Sequence, residues 1–337
     1  MWKSGCAKAT HGEWAFFGQF PRSEAVSAIV AVSGRPVIAS RCGTERWLEP
    51  ATGRIAVGRV VLVTGAGGLL GRSVVAQLAE QGDEPIGLSR KQLDLSRPID
   101  PGQLPTRFDA CIHLAQSNQF RNFPDGANDI FAINVAATQQ LLDLSRRRGA
   151  SHFVVASSGS VYASSSDDLT EDSPVGGSGY YAASKRAAEL LALGFASELV
   201  PVILRFFFIY GRNQKADMLL PSLVKRVAQG EAISLQGPDG LEINPIHVSD
   251  AARATVAALD LQAADIVNVA GPETIRLRQI GEAIGDALRK EALFSRLDGE
   301  SPRMVADTTK MMTLLKQPLV NFEQGVRDLT AAGSAAK

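Results

Sequence analysis

The stretch that decides the fold is Val60-Val-Leu-Val-Thr64, running directly into Gly65-Ala-Gly-Gly68 and on through Leu69-Leu70-Gly71. A short apolar run rich in β-branched residues reads as a strand, and Leu70, Val74 and Leu78 fall on one face of the helix that follows, Leu69 to Gln81. Gly82 supplies a C-terminal stop. The turn between strand and helix has the spacing Gly-x-x-Gly-x-x-Gly. In such a turn Gly65 permits the tight reversal, Gly68 lets the backbone approach a pyrophosphate, and Gly71 allows close helix packing. The helix N-terminus adds unpaired N–H groups and a positive dipole end. The spacing therefore points to a dinucleotide cofactor held at Gly65, Gly68 and Gly71.

Outward from this unit, strand-length apolar runs alternate with longer helical stretches. Pro85 to Leu88, Ala110 to Leu114, Phe153 to Ala156, Val202 to Phe207 and Ile266 to Val269 read as strands. Asn128 to Arg148 and Tyr181 to Leu199 read as two of the intervening helices. Alternation of this kind predicts an α/β fold with a doubly wound parallel sheet, a Rossmann domain over 58–211 plus 246–270. The alternation weakens beyond Gly211, and 212–245 plus 271–330 are expected to form a smaller C-terminal substrate-binding lobe, with helices at Leu219 to Gln229, Leu277 to Arg289 and Thr308 to Leu315. Residues 1–57 hold all three tryptophans and two of the three cysteines, and precede the alternation. They are expected to be an extension, either poorly ordered or translated from a start upstream of the true one.

Charge excludes some functions. The 337 residues carry 35 Lys+Arg against 35 Asp+Glu and no dense basic tract, so neither nucleic acid nor an anionic membrane surface is the expected partner. The richest apolar run, Val200 to Tyr210, is broken by Arg205 and falls short of the roughly 18 residues a membrane span requires. Cys6, Cys42 and Cys111 form no Cys-x-x-Cys pair, and His11, His113, His152 and His247 lack ligand spacing. The expectation is a cytoplasmic protein without a metal, acting on a small molecule.

Tyr181-Ala-Ala-Ser-Lys185 puts a phenol and an ammonium on one face of a helix. A free tyrosine ionises near about pH 10. The Lys185 cation, together with an oxidised nicotinamide, is expected to favour the phenolate, so that Tyr181 can exchange a proton with a carbinol or carbonyl oxygen. Ser157-Ser158-Gly-Ser160 follows the strand Phe-Val-Val-Ala, and a hydroxyl at a strand's C-terminal end faces the ligand crevice of an open α/β sheet. At the end of the second strand, where an acidic residue would accept the adenine ribose 2′-OH, the chain has Ser89-Arg90-Lys91. A basic pair there matches a 2′-phosphate and favours NADP(H) over NAD(H), unless Arg90 and Lys91 are simply solvated charges.

On these residues, the sequence from about 58 to 330 resembles the extended short-chain dehydrogenase/reductase family, in its NAD-dependent epimerase/dehydratase branch of nucleotide-sugar epimerases and reductases. The resemblance makes Ser158 the serine that binds the substrate oxygen, with Ser160 beside it. It makes Tyr181 and Lys185 the catalytic pair, with Lys185 also on the nicotinamide ribose. It implies cofactor contacts from Leu69 and Leu70, from Asp94-Leu95 at the adenine, from Leu114-Ala115, and from Asn134 and Phe208. A homodimer through the helices Tyr181 to Leu199 and Asn128 to Arg148 is implied as well.

The departures narrow the activity. Dehydratases of the branch carry an acidic pair after the serine, where this chain has Gly159 and Ser160, so water elimination is disfavoured. Ile243 replaces an arginine that holds a nucleotide diphosphate, while Arg303 lies near a second such arginine. Phe208 stands where many relatives have Asn. The leading expectation is an epimerase or ketoreductase acting on a sugar hydroxyl or ketone, nucleotide-linked. The alternatives are a ketoreductase for a substrate without a nucleotide, and a non-catalytic NADP(H)-binding sensor.

Overall fold

Six parallel strands form one sheet in the computed structural model, which describes residues 58–315 and 320–331. They are β1 (Val60–Thr64), β2 (Glu84–Leu88), β3 (Ala110–His113), β4 (His152–Ser158), β5 (Val200–Phe206) and, further along the chain, β8 (Asp265–Val269). Their spatial order is β2-β1-β3-β4-β5-β8. The chain therefore leaves β1 toward β2 on one side and returns to β3 on the other. That reversal places a crevice at the C-terminal ends of β1 and β3, where open α/β sheets bind ligands. The expected doubly wound sheet is present; the expectations for residues 1–57 lie outside the described residues.

Helices α1 (Leu69–Glu80), α2 (Ala127–Phe131), α3 (Ala137–Arg147), α4 (Tyr180–Leu193) and α6 (Val248–Ala257) accompany the sheet. Val61, Leu62 and Val63 of β1 have no exposed surface. Val61 and Val63 join Val74 and Leu78 of α1 in one core cluster, and Leu62 joins Leu141 and Leu142 of α3 in another. A strand buried on both faces is why the run reads as continuously apolar rather than alternating. Each such side chain contributes about 1.5–3 kcal/mol through burial. Gly82 ends α1 as expected, at φ 83°, with the Asp83 N–H bonded to the Leu78 carbonyl.

The remaining elements are α5 (Leu219–Gln229), β6 (Ile233–Gln236), β7 (Glu242–Ile243), β9 (Ile275–Arg276), α7 (Leu277–Leu288), β10 (Phe294–Leu297), β11 (Arg303–Met304), α8 (Thr309–Leu314) and α9 (Phe322–Ala331). Leu220, Leu223, Ile233, Ile280, Ile284 and Val326 share a separate apolar cluster. Met311 of α8 instead lies in the cluster against the main sheet, as does Leu315.

Two helices differ from the sequence reading. The helix expected over Asn128 to Arg148 contains one π-helical turn, Ala132–Ala136, flanked by α2 and α3. Asn134 sits in that turn and bonds both the Ser117 N–H and the Ser184 hydroxyl, at 3.0 and 2.9 Å. The widened turn places its amide between two elements, a use common for π-bulges at functional sites. Helix α4 stops at Leu193 rather than Leu199 because Gly194 follows and the chain enters a turn there.

Candidate active site

A cavity of about 680 Å³ opens at the β1/β3 reversal. At one end lie Gly65, Gly68, Leu69, Leu70 and Gly71. Gly65 has φ 72°, and a Cβ there would stand 2.8 Å from the Ala115 backbone nitrogen. A Cβ on Gly71 would stand 2.2 Å from the Gly65 carbonyl oxygen. Both glycines are thus required by the turn itself. No side chain caps α1 at Gly68, so its first-turn N–H groups face a cavity with a positive dipole end. Gly65→Ala combines a disfavoured backbone angle with a backbone clash. It is expected to cost about 1–3 kcal/mol in urea unfolding and to weaken dinucleotide binding measured by calorimetry.

Ser89, Arg90, Asp94 and Leu95 line the same end of the cavity beyond β2. The Arg90 guanidinium is more than half exposed and lies 3.9 Å from Asp94 and 3.8 Å from Asp129. The Asp94 carboxyl is held below its ordinary range by hydrogen bonds from the Ser96 hydroxyl and N–H. Arg90 therefore already has two carboxylates beside it, which the sequence spacing does not reveal.

At the other end lie Ser158, where β4 terminates, and Tyr181, in the first turn of α4. Lys185 is nearly buried behind Tyr181, with Nζ 5.8 Å from the phenol ring centre, and donates to the Ala156 carbonyl at 2.9 Å. Burial pushes the Tyr181 phenol up to about 12, against a smaller opposing effect of the Ser158 hydroxyl. Burial also brings the Lys185 ammonium down to about 8, with Glu189 working the other way. The expectation joins Lys185 with an oxidised nicotinamide; in the protein alone, burial dominates the phenol. Burial thus favours the neutral phenol at Tyr181.

Several expected site residues do not line the cavity. Asn134 is buried and fastens Ser117, in the loop after β3, and Ser184 of α4. Ser160 lies one turn past Ser158, its N–H bonded to the Ser158 oxygen at 3.2 Å and its own hydroxyl buried without a partner. Arg303 is held by Asp168 and by Glu242, and its guanidinium is thereby engaged away from the cavity. Phe208 does line it, with φ 44°. That left-handed conformation is one Asn adopts readily and a bulky aromatic does not, at a cost of about 1–3 kcal/mol.

Other lining residues went unread in the sequence. Gln116, Asn118 and Phe120 come from the loop after β3, and Asn213, Gln214 and Lys215 from the loop after β5. The two loops meet: Lys215 Nζ donates to Asn118 Oδ1 at 2.7 Å, and Arg121 donates to the Asp217 carbonyl at 3.1 Å. Neither loop has a period or motif, so no local signal marks them. His113 is buried, bonded to Thr64 at 2.7 Å and Thr138 at 3.1 Å, and brought down to about 3 by burial and then by Lys185. It is a neutral structural group. Among the described residues no three His, Cys, Asp or Glu side chains converge as a metal site, and no helix is long and apolar enough to cross a membrane.

Residues 61–270 match the family model described as the NAD dependent epimerase/dehydratase family. A UDP-glucuronate 4-epimerase from Thermodesulfobacterium geofontis is 29% identical over 230 residues, 65% of this chain and 70% of that protein. A dTDP-glucose 4,6-dehydratase from Streptomyces griseus is 28% identical over 301 residues, 79% of this chain and 91% of that protein. Among solved structures, UDP-glucuronic acid 4-epimerase from Bacillus cereus, in complex with UDP-glucuronic acid and NAD, superposes with a TM-score of 0.73 at 24% identity. That match covers 82% of this chain and 100% of the other.

Proposed function

The chain belongs to the NAD dependent epimerase/dehydratase family, and on that premise we propose that it is an epimerase or ketoreductase acting on the hydroxyl or ketone of a nucleotide-linked sugar. The observation that carries this reading is a single cavity with the glycine turn at one end and Ser158 and Tyr181 at the other. A turn that admits no side chain at Gly65 or Gly71 fits a dinucleotide pyrophosphate against the α1 N-terminus. When bound, the nicotinamide supplies the acceptor and donor of a hydride. Ser158 then holds the reacting oxygen. Tyr181 gives its proton to that oxygen as a ketone is reduced, or takes it as a carbinol is oxidised. Lys185 supplies fixed positive charge behind the phenol. Asp94 is the one carboxylate among the described cavity residues, and it stands at the far, β2 end. Among the described residues no acidic pair stands beside Ser158 for water elimination, which supports epimerisation or reduction over dehydration.

For the cofactor, Arg90 and Lys91 favour NADP(H) over NAD(H), while Asp94 and Asp129 beside Arg90 reduce that preference. Release of any bound dinucleotide by denaturation, followed by titration with NADPH and NADH, tests both points. Tighter NADPH binding that Arg90→Ala abolishes is the expected result; a tightly retained NAD(H) identifies a closed redox cycle and an epimerase. A substrate without a nucleotide is favoured by one observation: Arg303 is engaged by two carboxylates and Ile243 is buried, leaving Lys215 as the cation nearest Phe208 in the chain among the cavity residues. Thermal protection by UDP, GDP or dTDP decides against that alternative. An inert wild type together with an equally inert Tyr181→Phe variant indicates the sensor. Phe131 and Leu190, more than half exposed on α2 and α4, support a homodimer, which light scattering tests.

A further inference from the structure

The first side chain to leave β3 toward the cavity beyond Leu114 and Ala115 is Gln116, and it is the hydrogen-bond partner of the reacting phenol. Tyr181 Oη donates to Gln116 Oε1 at 3.2 Å. Gln116 is exposed within the cavity, yet the residue after it is fixed from three directions. The Ser117 N–H donates to Asn134 Oδ1 at 3.0 Å, the Ser117 hydroxyl donates to Asp129, and Ser117 Oγ accepts the Gln119 N–H at 2.9 Å. Three positions on, the Phe120 ring packs against the Tyr181 ring with centroids 5.5 Å apart. The loop after β3 thus touches both the face and the hydroxyl of Tyr181, while Ser158 approaches the hydroxyl from β4.

We propose that Gln116 is a positioning residue for Tyr181: its side-chain carbonyl holds the phenol proton, and a substrate carbonyl or hydroxyl oxygen takes its place on binding. The proposal rests on the reading of Tyr181 as the proton carrier. A carbonyl oxygen can only accept, so the phenol must be the donor in this pair. Accepting from the neutral phenol favours that form over the phenolate. Gln116 therefore keeps Tyr181 protonated and aimed until an oxygen competes for the same hydrogen. Displacement then frees both the carbonyl and the amide N–H groups of Gln116, within a few ångströms of the reacting oxygen. They are placed to bond a hydroxyl on the carbon next to the reacting one. The substrate class that exploits this is a polyol or hydroxyketone, rather than an isolated ketone.

The test is tyrosinate absorbance of the full-length protein with saturating NAD⁺, whose pyridinium adds positive charge, followed from about pH 6 to 10. The Tyr181→Phe protein serves as the blank for Gln116→Leu, Gln116→Glu and the wild type. Loss of one neutral hydrogen bond predicts a midpoint lower by about 0.5–1 pH in Gln116→Leu. Gln116→Glu keeps an acceptor and adds negative charge, so its midpoint rises above the wild type. A merely structural loop residue would not move the two variants in opposite directions. Coincident midpoints for wild type and Gln116→Leu, or a higher one in Gln116→Leu, overturn the proposal and leave Tyr181 as proton carrier standing. No Tyr181-dependent ionisation in any of the three proteins overturns the proton-carrier reading and this proposal with it.

Discussion

Tyr181→Phe is expected to lower turnover by about 10²–10⁴-fold while leaving dinucleotide binding within about twofold. The substitution deletes one oxygen and the proton it carries. The ring keeps its packing against Phe120 and its place in front of Lys185. The glycine turn, proposed to receive the pyrophosphate, lies at the opposite end of the cavity and is untouched. Transient kinetics separate the two effects: cofactor titration by fluorescence should be unchanged, while the rate of nicotinamide reduction or oxidation collapses. An undiminished rate would show that another group, with Ser158 the nearest hydroxyl, moves the proton.

The second large effect is on stability, at the ion pair beneath the site. Glu189 and Arg205 are both almost completely buried and joined by two bonds, Arg205 Nε to Oε1 at 2.9 Å and Nη2 to Oε2 at 2.8 Å. Ser157 donates to Glu189 at 2.5 Å, and the Arg205 guanidinium lies 4.7 Å from the Tyr162 ring centre. Glu189→Leu leaves a buried guanidinium without its carboxylate, and should cost about 3–5 kcal/mol in urea unfolding. Glu189→Leu combined with Arg205→Met removes both charges and should recover much of that loss.

The pH dependence has a definite sign. Burial alone would raise the Glu189 carboxyl, but hydrogen bonds from Arg205 and Ser157 and the charge of Arg205 outweigh it and hold the group below its ordinary 4.5. A depressed folded value means the contribution is fully present above the unfolded value and is lost as pH falls through the folded one. Wild-type stability should therefore drop more steeply below about pH 4 than that of Glu189→Leu. Parallel curves would remove Glu189 as the source. Ser157 adjoins Ser158, and Lys185 lies one turn before Glu189 on α4, so the same pair stands next to the site.

The sheet strands, the glycine turn and the pair Tyr181 and Lys185 were legible because each rests on local chemistry. Strand burial on both faces writes continuous apolar runs, a helix writes its four-residue spacing, and the turn at Gly65 admits no Cβ. The sequence around Asn134 does not show that its amide fastens Ser117 and Ser184. The spacing around Arg303 likewise does not show Asp168 and Glu242, distant in sequence, which pair with it. Both outcomes depend on which partners the fold brings near.

What the sequence by itself determined is the family, the parallel sheet, and the places of the glycine turn, Ser158 and Tyr181 at its cavity. The tertiary structure decided their state and their company. Burial raises the Tyr181 phenol, Arg90 faces two carboxylates, and Gln116 and Phe120 arrive at Tyr181 from a loop without periodicity. The reason is physical: strand, turn and helix preferences act over a few residues and leave a pattern in the chain. Desolvation and pairing depend on neighbours tens of residues away, which no local pattern records.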